Sequence, residues 1–138
     1  MVRTFVDSGV LIDAARGVPP FDTLAFEFLD DPNRIFLSSP LVRLEVVPKA
    51  AYLRRGEELA IYSAFFDNPS VVSCQDWASM ARLADEVSRK HGLGAMDALH
   101  LAAAYLLGAD EFVTVERQSK PVYRNELVSV RYLYAELP

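Results

Sequence analysis

Apolar residues are arranged along the chain in two alternating rhythms. Short, nearly continuous runs read as buried strands: Arg3-Thr4-Phe5-Val6, Arg34-Ile35-Phe36-Leu37-Ser38, Ser70-Val71-Val72-Ser73, Glu111 to Val115, and Leu127-Val128-Ser129-Val130. Between them the spacing turns helical. Ser8 to Arg16 forms one helix, stopped by Gly17 and the Pro19-Pro20 pair. Phe21, Leu24, Ala25, Phe28 and Leu29 mark the apolar face of the next, with Phe26 off that face. Pro40 opens a third helix from a favoured first-turn position, and Pro48 is expected to kink it. Further helices are predicted over Glu57 to Phe66, Gln75 to His91, and from Gly94 to Gly108. Strands alternating with helices predict an α/β fold, a three-layer α/β/α arrangement around a central, mainly parallel sheet. The 138 residues fit a single domain spanning residues 1–138, with no repeat, linker or low-complexity stretch.

Composition narrows the function classes. Hydrophobic residues make up 51% and charged residues 24%, as in an ordinary globular chain and unlike a disordered one. The chain runs from Met1 directly into a strand, so no signal peptide is expected, and no apolar run is long enough to span a membrane. The lone Cys74 offers no internal disulfide and no thiolate cage, so a cytoplasmic location is expected. Formal net charge is −5, with no polybasic tail or stripe of the kind that marks tight duplex binding.

Four acids stand out against this background: Asp7, Glu45, Asp97 and Glu116. Asp7 and Asp97 lie in otherwise apolar segments, where a carboxylate is costly to bury uncompensated. Asp7 and Glu116 each follow a predicted strand. Asp97 opens a helix, and Glu45 lies in the second turn of another. In an open parallel sheet, strand ends and helix starts share one edge, where ligand sites form. Each acid also has a structural reading: a helix cap for Asp7, a helix-dipole partner for Asp97, an ion pair with Lys49 for Glu45, and one with Arg117 for Glu116. A shared edge favours one site over four coincidences. Oxygen ligands suit Mg²⁺ or Mn²⁺, and carboxylate-held ions of this kind serve phosphodiester hydrolysis. His100 lies three residues beyond Asp97 on roughly the same helix side, and is read as a packed histidine bonded to backbone. Asp13 is read as peripheral.

At these residues the chain resembles the PIN-domain family, in particular the compact VapC-like ribonuclease toxins of toxin–antitoxin pairs. The resemblance rests on Asp7-Ser8-Gly9-Val10-Leu11-Ile12-Asp13, Ser39-Pro40-Leu41 through Glu45, Asp97-Ala98-Leu99-His100-Leu101-Ala102-Ala103-Ala104, and Phe112-Val113-Thr114-Val115-Glu116, in that order. It implies a metal-dependent endoribonuclease acting on single-stranded or tRNA-like RNA. It also implies Asp7, Glu45, Asp97 and Glu116 as catalytic and metal-binding carboxylates, with Ser8 as a supporting hydroxyl. Mg²⁺ or Mn²⁺ is the implied cofactor, and homodimerisation and a small antitoxin protein are the implied partners. The fourth acid is usually Asp in that family. Here it is Glu116, one methylene longer, followed by Arg117-Gln118-Ser119-Lys120-Pro121. Arg16, Arg43, Arg117 and Lys120 are candidate RNA-phosphate contacts.

Two other readings use the same residues. A PIN fold altered at its fourth acid would bind RNA or a protein partner without cutting. A phosphoacceptor receiver domain would use Thr114 and Lys120-Pro121, but it needs an acceptor Asp closing a central strand. The third predicted strand runs instead into Ser73-Cys74-Gln75.

Overall fold

A computed structural model describes residues 1–137. Five strands form one sheet in the order β3-β2-β1-β4-β5: β1 Val2–Val6, β2 Arg34–Ser38, β3 Val72–Ser73, β4 Glu111–Thr114 and β5 Val130–Tyr132. Every adjacent pair is parallel. The chain steps outward from β1 through β2 to β3, then returns to lay β4 and β5 on the other side of β1. Right-handed crossovers therefore place the helices of the two halves on opposite faces of the sheet. Helices α1 (Ser8–Arg16), α2 (Phe21–Leu29), α3 (Pro40–Tyr52) and α4 (Gly56–Phe66) pack on one another, and α5 (Trp77–His91) pairs with α6 (Ala95–Leu106). The expected three layers are present, and the sheet is wholly parallel.

A sheet covered on both faces needs strands that are apolar on both faces. Phe5, Val6, Leu37, Phe112 and Val113 are fully buried. Phe5 stacks on Phe112 with ring centroids 5.5 Å apart, while Phe36 meets Phe28 and Phe65 edge-on. Among the described residues, no helix is long and apolar enough to cross a membrane.

Local chemistry explains where the observed boundaries differ from the expected ones. Asp76 accepts the Ser79 N–H at 3.1 Å, so α5 starts at Trp77 and not at Gln75. Helix α3 runs on through Pro48 to Tyr52. Strand β4 stops at Thr114, because the Glu116 N–H turns back to the Thr114 hydroxyl at 3.1 Å. The last strand begins three residues later than expected. The Asn125 side chain accepts the N–H groups of Leu127 and Val128 at 2.9 and 3.0 Å, winding that segment into a turn. A short 3₁₀ turn, Pro121–Arg124, interrupts the expected loop before it. The third strand is a two-residue edge strand, and β1 holds the centre of the sheet.

Candidate metal centre

The sheet order reverses between β1 and β4, and the crevice beyond their carboxyl ends is where open α/β sheets bind ligands. Asp7 is there. It follows the last residue of β1 and is 8% exposed. One oxygen, Oδ1, accepts the Ser8 N–H at 2.8 Å, and the other, Oδ2, accepts the Thr114 hydroxyl at 2.8 Å. The first bond also caps α1, so the capping reading of Asp7 is met at the same place where it faces the crevice. Burial nevertheless pushes the Asp7 carboxyl above its ordinary range, and the negative charge of Asp97 pushes the same way. The His100 ring, Thr114 and Ser8 oppose that shift without cancelling it.

Glu45 arrives from the opposite helical layer to His100. It lies in the second turn of α3, whose start is fixed by Ser39 capping the Leu41 N–H at 3.2 Å and by Pro40. Its Oε1 lies 2.5 Å from His100 Nε2. That contact holds Glu45 below the ordinary carboxylate range, and the Ser8 side chain adds to the effect. Asp7, Glu45 and His100 each offer one ligand atom within 4.8 Å of the other two. His100 is 1% exposed, and its other nitrogen, Nδ1, is buried without a hydrogen-bond partner among the described residues. The expected backbone bond to His100 is therefore absent, and the Glu45 carboxylate stands in its place. The expected Glu45–Lys49 pair does not form among the described residues, where Glu45 pairs with His100.

The remaining expected residues are less closely gathered. Asp97 is half-buried in the first turn of α6, near enough to act on Asp7 through its charge, but outside the mutually close set. Glu116 is exposed two residues beyond β4. Its backbone is anchored at both ends, the N–H on Thr114 and the carbonyl on the Tyr123 hydroxyl at 2.7 Å. Arg117 and Lys120 are exposed in the loop that follows, and Arg43 is exposed on α3. Arg16 closes α1, where its charge acts on Tyr62 of α4. Asp13 accepts the Tyr134 hydroxyl at 2.6 Å, a structural tie consistent with a peripheral place.

Sequence reading gave Thr114 a role only in the receiver-domain alternative, and it passed over Tyr123. Thr114 is fully buried and orients Asp7, and its signal was a hydroxyl at the end of the strand beside β1. Tyr123 fixes the Glu116 carbonyl from the 3₁₀ turn, which no periodicity announced.

The donor set suits a hard divalent cation. Two carboxylates converge there, the buried Asp7 and Glu45, and the His100 imidazole beside them is held by Glu45.

Comparison with known proteins agrees with this architecture. No curated protein matches the sequence. Among solved structures, VapBC2 from Rickettsia felis bound to a promoter DNA fragment aligns with a TM-score of 0.70 at 14% identity, over 95% of this chain and 98% of that one. A toxin–antitoxin complex from Klebsiella pneumoniae aligns with a TM-score of 0.69 at 19% identity, over 95% and 98%. DNA-bound VapBC from Salmonella typhimurium gives 0.69 at 18%, over 96% and 99%. These likenesses are likenesses of fold. The family model of the PIN domain matches residues 4–124, a stretch that runs from within β1 past β4 and holds Asp7, Glu45, Asp97 and Glu116, and on that match the chain belongs to the PIN domain family.

Proposed function

We propose that this chain is a metal-dependent endoribonuclease of the VapC-like toxin kind, hydrolysing phosphodiester bonds of single-stranded or tRNA-like RNA. The observation that carries the reading is the buried Asp7 carboxylate, set at the sheet's switch point within 4.8 Å of Glu45 and His100. A carboxylate whose charged form burial disfavours is well matched to a cation.

Asp7 and Glu45 would hold Mg²⁺ or Mn²⁺, with Asp97 adding negative charge beside them. When bound, such an ion supplies Lewis acidity toward a phosphate oxygen and an attacking water. The protein's own groups do the positioning. The Ser8 N–H and the Thr114 hydroxyl fix the two Asp7 oxygens, His100 fixes Glu45, and the half-buried Ser8 side chain also acts on Glu45. Arg117 and Lys120 offer positive charge for the flanking phosphates. Glu116 completes the carboxylate edge from an anchored backbone.

The experiment is RNA cleavage by purified protein with Mg²⁺ or Mn²⁺, alongside Mn²⁺ binding measured calorimetrically. Cleavage that needs the metal and disappears in Asp7→Asn supports the assignment; equal cleavage by Asp7→Asn overturns it. A second reading, a PIN-fold module that binds RNA or a protein without cutting, draws on the exposed Glu116 lying outside the close set. Absence of any Mn²⁺ site at millimolar concentration would favour it. The partners of the toxin reading are a second copy of the chain and a small antitoxin. Growth arrest on expressing the chain, relieved by the product of a neighbouring gene, tests the antitoxin.

A further inference from the structure

A cavity of about 640 Å³ opens between the start of α2 and the far edge of the sheet, lined among others by Phe21, Arg117, Tyr132 and Tyr134. Its size is that of a small-molecule site. Its chemistry is aromatic with one cation. Phe21 packs edge-on against Tyr134 at 4.8 Å, and Tyr132 stands perpendicular to Tyr134 at 5.9 Å. Tyr134 is buried, its hydroxyl tied to Asp13 at 2.6 Å, and it serves as the floor. Tyr132 and Phe21 are only half-buried and keep ring surface toward the opening. The Arg117 guanidinium makes no ion pair or hydrogen bond among the described residues.

The cavity's position ties it to the carboxylates. In the β4–β5 ladder Tyr132 is the register partner of Thr114, and the Leu133 N–H donates to the Thr114 carbonyl at 2.9 Å. Thr114 in turn holds Asp7. The aromatic wall therefore stands one strand away from the residue that orients Asp7, about 4.8 Å in the hydrogen-bonding direction. Arg117 follows Glu116 directly. From the 3₁₀ turn, Tyr123 fixes the carbonyl of Glu116, the residue before Arg117, at 2.7 Å.

We infer that this cavity is a nucleotide subsite, in which a base of single-stranded RNA next to the cut phosphate stacks on Tyr132 and Phe21 while Arg117 holds its phosphate. The inference rests on the ribonuclease reading for its substrate. Aromatic faces accept any base, and an unpaired guanidinium complements a phosphate. A duplex end would not present a free base to such a wall, so the subsite selects unpaired RNA.

The test uses the full chain with Tyr132→Ala, Tyr132→Phe and Arg117→Ala, and a short oligoribonucleotide that is intact or abasic at one position beside the cleaved bond. Binding is read by fluorescence anisotropy and cleavage separately. Tyr132→Ala is expected to weaken binding and raise KM about tenfold with kcat little changed, while Tyr132→Phe, which keeps the ring, behaves as the wild type. The abasic oligonucleotide should lose a similar factor with the wild type and nothing further with Tyr132→Ala. If the chain cuts RNA but Tyr132→Ala binds it as the wild type does, the subsite is overturned and the nuclease assignment stands. If the chain does not cut RNA and Tyr132→Ala still loses tenfold in binding, the subsite stands and the nuclease assignment falls. Loss of affinity for a protein partner, with RNA binding unchanged, would overturn the inference in favour of a peptide pocket.

Discussion

Asp7 accepts two hydrogen bonds and its carboxyl still titrates above the ordinary value, because burial outweighs both bonds. The sign of the consequence is definite. Without metal, the folded chain binds the Asp7 proton more tightly than the unfolded chain does. Stability from this group is complete below its ordinary value of 3.8 and is lost as pH rises through the folded value. Asp7→Asn removes that loss, so at neutral pH the metal-free variant should melt above the wild type in calorimetric scans. Divalent metal should raise the wild-type melting temperature and leave the variant's unchanged. Glu45 works in the other direction: its contribution is present above its ordinary value of 4.5 and disappears on acidification through its lowered folded value. His100 orients that carboxylate from a fully buried position. His100→Ala should therefore weaken Mn²⁺ binding about tenfold by calorimetry. His100→Gln, which retains an N–H donor, should recover part of the loss.

At the level of elements, the site depends on how closely α1 approaches β4. A Cβ added at Gly9 would stand 2.5 Å from the Val115 side chain, inside any permissible contact. Gly9→Ala should destabilise the fold by about 1–3 kcal/mol in urea titrations and displace Val115, and with it Glu116. Val115→Ala on the same chain should restore much of the stability. The elements themselves were legible from periodicity, because strands buried on both faces and helices with one apolar stripe leave different spacings. The order of the strands and the meeting of helix starts at one edge followed from parallel topology. What periodicity could not show was decided by single side chains: Asn125 delaying β5, Asp76 delaying α5, Thr114 ending β4 and turning its hydroxyl onto Asp7. The His100–Glu45 contact joins helices 55 positions apart in sequence, on opposite layers of the sheet. Only the fold brings them together.

For the molecule as a whole, a net charge of −5 with no basic stripe means that RNA cannot be held by long-range attraction alone. Binding should depend weakly on monovalent salt, as expected for only a few phosphate contacts. Arg117→Ala should flatten the slope of log affinity against log salt by about 0.7, the share of one phosphate on a single strand. A groove with many cationic contacts would give a steep slope instead, so anisotropy at several KCl concentrations decides the point. The edge strand β5 bears on a different question. It lies at Val130–Tyr132, past the residues 4–124 that the PIN-domain model matches, and it supplies Tyr132 to the cavity beside the carboxylates. The wall of that cavity is thus assembled from three places in the chain, Phe21 at the start of α2, Arg117 after β4 and Tyr132 on β5, none of them one of the carboxylates. Under the proposed reading, target choice could drift by changes at these three places while the carboxylates stay fixed.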